Sequence, residues 1–104
     1  MSCPVEAMFR VVFQRWSAYI LVVLSNHGGQ LRFNAIKRQI PGISQKVLTD
    51  KLRELEQAGL VHRDYQPTIP PTVTYHLTAR SRELEPLLRQ LSHVAHQWRA
   101  EGLI

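Results

Sequence analysis

One stretch, which runs from Pro41 to Gly59, constrains the fold most because it carries the signals for both ends of a single helix. Pro41 and Gly42 predict a tight turn, and the hydroxyl of Ser44 is placed to accept a hydrogen bond from the first helical turn. Gly59 suits the left-handed position that follows a last helical turn. We therefore predict a helix over about residues 44–58.

This helix is predicted to have one apolar side and one polar side. Leu48, Leu52 and Leu55 fall at i, i+4 and i+7, which predicts a stripe that faces a core. The opposite side is polar and carries Lys46, Thr49, Asp50, Arg53 and Gln57. A helix with a free polar side, entered through a tight turn, fits the major groove of DNA. We call it the recognition helix.

Length and charge narrow the class of protein. The chain has 104 residues, enough for one domain over residues 1–104 without a disulfide or a metal. Its net charge is +5, and ten of its 13 basic residues are arginines, whose planar guanidinium suits phosphate and guanine. The single Cys3 excludes an internal disulfide framework and suits a reducing cytoplasm. The longest apolar run, Ala18 to Leu24, is too short for a membrane span, and no secretory signal is visible. We expect a cytoplasmic protein that binds double-stranded DNA.

Three helices are predicted before the turn at Pro41. Pro4 suits the first position of the first helix, and a second helix follows with apolar residues at helical spacing. Leu31, Phe33 and Ile36 predict a third helix, so that two helices are joined across a short turn that contains glycine. This is the pattern of a helix-turn-helix, although an ordinary helical hairpin in a bundle has the same spacing.

The spacing of apolar residues changes to a period of two after Gly59. Residues 61–66 and 72–77 predict two strands, and the proline-rich loop 67–71 joins them. A β-hairpin over about residues 61–77, directly behind a recognition helix, is a wing. We therefore predict an α+β fold, mainly α, that is a winged helix-turn-helix domain with a two-stranded wing.

A last helix is predicted over about residues 79–101, with Pro86 either bending it or marking its first turn. Its apolar stripe is longer than one small domain can cover, and the first helix likewise has more apolar surface than one small domain can bury. We expect the two terminal helices to form the seam of a homodimer, although a last helix that lies on its own core is the ordinary alternative. The expected seam residues are Val5, Met8, Phe9, Leu84, Leu88, Leu91, Ala95 and Trp98.

Several short motifs stand in a fixed order along the chain. They are Trp16 with Ile20-Leu21, Leu31-Arg32-Phe33-Asn34, Pro41-Gly42-Ile43-Ser44, Leu52-Arg53-Glu54-Leu55-Glu56, Gly59-Leu60-Val61 and Pro70-Pro71. With this set, the chain resembles the HxlR-type family of winged-helix transcriptional regulators, which are related to MarR-type regulators, from Cys3 to about Trp98. The resemblance implies a homodimer that binds a short palindromic operator and represses, or sometimes activates, nearby genes.

The chain departs from the family pattern at three places, one of which is Ser81, where members carry a glycine in the first turn of the last helix. Phe13-Gln14-Arg15 stands where members often carry Gly-Gly-Lys before the tryptophan. Thr72 and Thr74 stand where many members carry a basic or acidic residue around the second wing strand. The wing is therefore less cationic than the resemblance alone implies.

The residues expected to contact DNA lie on the recognition helix and on the segment before it. Arg53 and Lys46 can donate to guanine or phosphate, Gln45 suits adenine, and Asp50 can orient either cation or accept from cytosine. The full set is Ser44, Gln45, Lys46, Thr49, Asp50 and Arg53 on the recognition helix, with Arg32, Lys37 and Arg38 as phosphate contacts. The alternatives are a solvated charged face and a winged helix that binds another protein in place of DNA.

Few residues suggest chemistry other than DNA binding. The sequence has no phosphate-binding loop or metalloprotease motif, so neither an enzyme nor a cofactor is expected. His93 and His96 lie three apart on the last helix and could share a metal, but two surface histidines are the more common case. In some members of the HxlR-type family an N-terminal cysteine senses electrophiles or oxidants, and Cys3 occupies this place. A helix that starts at Pro4 would also favour its thiolate, and the alternative is a cysteine that only packs or caps.

Overall fold

Six helices and three strands make up residues 3–104, which are the residues that the computed structural model describes; Met1 and Ser2 of the predicted domain lie outside them. In chain order the elements are α1 Pro4–Val11, α2 Arg15–Asn26, β1 Gln30–Arg32, α3 Phe33–Gln39, α4 Gln45–Gln57, β2 Val61–Gln66, β3 Thr72–Leu77, α5 Ala79–Arg82 and α6 Glu85–Ala100. The order of helices and hairpin is that of a winged helix-turn-helix, which confirms the predicted fold class.

Helix α2 lies at the centre of the core and packs against α3, α4 and α6. Its residues Ile20, Leu21 and Leu24 are fully buried. The predicted stripe of α4 faces them and is buried as well, at Leu48, Leu52 and Leu55. Because the apolar side of α4 is held in this core, its polar side faces outward at a fixed angle.

Both ends of α4 are formed by the residues that the sequence indicates. The hydroxyl oxygen of Ser44 accepts a hydrogen bond of 3.0 Å from the backbone N–H of Val47. At the other end Gly59 has a φ of +77°, which a residue with a side chain rarely adopts. The N–H of Leu60 then donates to the carbonyl oxygen of Leu55 at 2.9 Å. The helix predicted over about residues 44–58 is present as α4, Gln45–Gln57, with Ser44 as its cap.

The sheet has three strands, and the sequence predicted only two. Strand β3 lies in the middle, with β1 on one side and β2 on the other, both antiparallel to it. Leu31 was predicted to begin the third helix but instead lies in β1, where it pairs with Tyr75. Arg32 is extended (ψ of 155°), so α3 begins one residue later, at Phe33. A strand of three residues is too short to show a period of two, which is why the prediction was wrong here.

The last helix is also different from the prediction, because residues 79–101 do not form one continuous helix. α5 ends at Arg82, and α6 starts at Glu85 with Pro86 in its first turn. Pro86 has no N–H with which to continue the helical hydrogen bonds toward Arg82, and a first turn is where proline is best tolerated. Of the two roles expected for Pro86, the structure shows the second.

Within the described part of the chain, no single helix is long and apolar enough to cross a membrane. α1 and α2 together reach the length and composition of such a span, but they meet at an angle of 81°.

Candidate nucleic-acid interface

An open groove of about 1020 Å³ lies between the start of α3, the polar side of α4 and the wing, which is the β2–β3 hairpin with its loop. Gln45, Thr49 and Arg53 line it from α4. The wing forms the facing wall with Pro70, Pro71, Thr72 and Val73. A helix and a hairpin that diverge in this way present two elements to the same ligand from the same side of the molecule.

Four arginines line this groove: Arg32, Arg38, Arg53 and Arg63. Glu56 is the one acidic residue among the lining residues that the structure describes. The groove is therefore cationic, and its cations are of the type that binds phosphate and guanine through two parallel hydrogen bonds. Polar side chains of Gln45, Thr49 and Asn34 lie between them. This arrangement suits a polyanion that also presents hydrogen-bonding groups.

Not all of the predicted contact residues lie in the groove. Lys46 and Asp50 lie on α4, and Ser44 lies directly before it, but none of the three lines the groove. Lys37 is exposed on α3. The ammonium group of Lys46 donates to Asp50 Oδ2 at 3.0 Å, which is one of the two contacts expected of Asp50. Both side chains are exposed, so this ion pair is a weak one that another anion can replace.

Sequence reasoning did not select Arg63, although it lies in the groove. Its guanidinium carbon is 5.6 Å from the centre of the Tyr65 ring, a distance at which a cation is attracted to the ring face. The signal was present in the alternation of β2, since Arg63 shares a face with Val61, which is buried in the core. Strand β2 therefore directs this arginine toward the body of the domain and the groove.

The two terminal helices carry exposed apolar side chains, but three of the expected seam residues are buried or partly buried. Phe9 is 55% exposed on α1, and Leu91 is 47% exposed on α6. Leu88, in contrast, is 1% exposed and belongs to the core of its own chain, so its assignment to the seam is wrong. The remaining expected residues fall into two groups: Val5, Met8 and Trp98 are exposed, while Leu84 and Ala95 are partly buried. Leu84 packs against the core.

A second groove, of about 530 Å³, runs between α2 and α6. Leu91 and Ala95 line it on the α6 side, and Val22 and Tyr19 line it on the α2 side. This groove lies beside the exposed apolar side chains of α6, and its lining is not rich in arginine. Of the histidines considered as metal ligands, His96 donates a hydrogen bond from Nδ1 to the carbonyl oxygen of Ser92 (2.7 Å). Residues 3–104 contain no group of three or more side chains suited to hold a metal ion.

Cys3 is exposed and is the residue that precedes the first turn of α1. Its carbonyl oxygen accepts a hydrogen bond of 3.0 Å from the N–H of Glu6. In the part of the chain that the structure describes, its side chain makes no capping hydrogen bond. The thiol is therefore accessible and free of a structural role in holding the helix end.

The chain is similar in sequence and structure to known transcriptional regulators. A sequence model described as HxlR-like helix-turn-helix matches residues 11–102. An HTH-type transcriptional regulator of Synechocystis sp. is 40% identical over 96 residues, which are 92% of this chain and 70% of that protein. The structure of the redox regulator HypR in its oxidized form is 39% identical, with a TM-score of 0.79 over 91% of this chain and 96% of that one. The reduced form of the transcriptional regulator YodB from B. subtilis is 37% identical, with a TM-score of 0.74 over 94% and 95% of the two chains.

Proposed function

Since the chain belongs to the HxlR-like helix-turn-helix family of transcriptional regulators, we propose that it binds a palindromic DNA operator as a homodimer and represses the adjacent genes. The observation that carries this proposal is the arginine-lined groove between α4 and the wing. Its two walls are a helix with a free polar side and a hairpin, which are the elements that winged-helix proteins bring to a duplex.

Base recognition falls to α4 in this account. Arg53 donates to guanine O6 and N7, which is the commonest specific contact between a side chain and a base. Gln45, in the first turn, reads adenine through its amide, and Thr49 lies between the two on the same wall of the groove. Asp50 holds Lys46 at the edge of this surface and competes with phosphate for its ammonium group.

Phosphate contacts fall to the arginines around α4. Arg32 and Arg38 lie at the two ends of α3, and Arg63 reaches from the wing. These contacts fix the position of α4 on the duplex without reading its sequence. With Arg53 they bring four arginines per subunit to the DNA, so a dimer releases many counterions when it binds.

The homodimer rests on the exposed apolar side chains of α1 and α6. None of the residues of α1, all of which the structure describes, is buried within the chain. Val5, Met8 and Phe9 of α1, with Leu91 and Trp98 of α6, are the proposed contacts. A two-fold axis at this seam would place two copies of α4 about one helical turn of DNA, roughly 34 Å, apart.

Response to oxidants is the second part of the proposal. HypR is a redox regulator, and the oxidized protein is among the structures that this chain resembles. Cys3 is exposed next to the proposed seam residues of α1. Oxidation would join Cys3 of two subunits or attach a small thiol, and either change at the seam would alter the relative position of the two recognition helices.

The test is the binding of a random-sequence duplex, followed by fluorescence anisotropy over a range of salt concentrations. Arg32, Arg38 and Arg63 give three phosphate contacts per subunit, so a dimer makes about six such contacts and the slope of log K against log salt is about −5. Absence of binding at low salt would contradict the proposal and favour a winged helix that binds another protein.

A further inference from the structure

The apex of the wing carries the most exposed apolar side chain of the described residues. Ile69 has an exposed fraction of 101%, so it contacts almost nothing in its own chain. It lies in the loop 67–71, which contains three prolines and joins the paired strand ends at Gln66 and Thr72. An isoleucine at such a place contributes nothing to the core.

This apex is stiff. Proline fixes the φ angle of its residue, and Pro67, Pro70 and Pro71 surround Ile69. The hydroxyl of Thr68 donates a hydrogen bond of 2.9 Å to the carbonyl oxygen of Pro70, across the isoleucine. Because the loop has few conformations to lose, inserting its side chain into a partner costs little conformational entropy.

The apex also belongs to the wall of the arginine-lined groove. Pro70 and Pro71, which follow Ile69 directly, face Arg53 across that groove. The sequence has no lysine or arginine between Arg63 and Arg80, so the apex itself offers no cation to a phosphate. The apex therefore presents an apolar side chain, that of Ile69, at the edge of the proposed DNA-binding surface.

We propose that Ile69 is an apolar wedge, which enters the minor groove beside the major groove occupied by α4, partly unstacks one base step and bends the duplex. This inference rests on the proposed binding of DNA. Proteins that kink DNA from the minor groove insert side chains of this kind between base pairs. The apex therefore contacts a base step of the operator, and it does so through the apolar side chain of Ile69.

Through this wedge the protein prefers certain base steps at a position of the operator where it makes no hydrogen bond to a base. Pyrimidine–purine steps such as TA and CA unstack easily, whereas A-tracts are stiff. The protein should therefore favour a flexible step under the wing in each half-site. This specificity is separate from that of Arg53, because it depends on the deformability of the DNA.

The experiment uses duplexes that carry the sequence enriched by the protein from a random pool, labelled at both ends with a donor and an acceptor dye. Energy transfer reports the bend, and anisotropy reports the affinity. The variant is Ile69→Ala. The matched control is Ile104→Ala, which makes the same truncation at a side chain that is 63% exposed and lines the groove between α2 and α6 instead.

We expect Ile69→Ala to reduce the bend and to weaken binding by about tenfold for each wedge, or about 100-fold for a dimer, which corresponds to the loss of most of one buried aliphatic side chain per half-site. The preference for a TA or CA step under the wing should disappear with it, while Ile104→Ala keeps the wild-type bend and preference. An unchanged bend and step preference in Ile69→Ala would overturn the wedge.

Three further outcomes distinguish failure of this inference from failure of the proposed function. Sequence-selective binding by the wild type to an unbent duplex overturns the wedge and leaves the regulator in place. Absence of duplex binding overturns both. A change in oligomeric state on Ile69→Ala, measured by sedimentation without DNA, would make the apex a protein contact and also overturn the wedge.

Discussion

The hydroxyl of Thr78 donates a hydrogen bond of 2.6 Å to the carbonyl oxygen of Gly59, and this contact joins the end of the wing to the end of the recognition helix. The backbone N–H of Thr78 donates to the carbonyl oxygen of Leu60 at 3.3 Å beside it. The same hydroxyl oxygen accepts from the N–H of Ser81 at the start of α5. One threonine therefore fixes the angle between the two walls of the groove.

We expect Thr78→Val to lower the free energy of unfolding by about 1–2 kcal/mol, because it removes one hydrogen bond and one helix cap while keeping the shape of the side chain. Urea denaturation followed by circular dichroism measures this change. Thr74→Val, within β3, is the matched control and should change stability by less. Equal effects of the two variants would contradict the role assigned to Thr78.

Asp50 is expected to restrain DNA binding through its ion pair with Lys46. In Asp50→Asn the ammonium group is free to contact phosphate without competition, so a dimer gains up to two contacts. Affinity for every duplex should rise, and the slope of log K against log salt should steepen by about 1.8. Glu101→Gln makes the same charge change beyond the end of α6 and should leave the slope unchanged. A slope that steepens equally in both variants would show a general effect of net charge.

The recognition helix could be predicted in full because its signals are local. Ser44 caps the helix through a residue only three positions away, and Gly59 ends it through its own φ angle. Strand β1 could not be predicted, since it is defined by its pairing with β3, more than forty residues further along the chain. Arg63 was missed for a related reason: alternation shows which residues share a face, but only packing shows which face meets the groove.

The proposed seam residues of α6 show the same limit of sequence-based prediction. Leu88 and Leu91 both belong to a wide apolar stripe, and helical periodicity does not say which part of the stripe faces the core of its own chain. The structure separates them, because contact with α2 buries Leu88 and leaves Leu91 exposed.

Because Leu91 is exposed and Leu88 is buried, we predict different effects of substitutions at these two residues of α6. Leu91→Lys should sediment as a folded monomer. Leu91 is exposed in the single chain, so a lysine at this position is costly only where the proposed seam would bury its charge without a partner. Leu88→Ala should lower the free energy of unfolding by about 2–5 kcal/mol, because it leaves a cavity in the core. Ile69→Lys, at the apex of the wing, is the matched control for Leu91→Lys and should remain dimeric. A dimeric Leu91→Lys variant would place the seam elsewhere.

Oxidation is expected to act through Cys3, which is the single cysteine of the chain. Treatment with a thiol oxidant should produce a disulfide-linked dimer on a non-reducing gel and change the affinity for operator DNA by about tenfold. Cys3→Ser should bind DNA like the reduced wild type and should not respond to the oxidant. If oxidized and reduced wild type bind equally, Cys3 has no regulatory part.

The central claim is that α4 reads DNA sequence from within the arginine-lined groove, and selection of bound duplexes from a random pool tests it most directly. The account predicts that wild-type protein enriches a palindrome whose half-sites lie about one helical turn apart. Arg53→Ala, under the same conditions, should lose the preference for guanine at one position of each half-site and retain the rest of the motif. A wild-type pool that stays random, or an Arg53→Ala pool with the full wild-type motif, would contradict the claim.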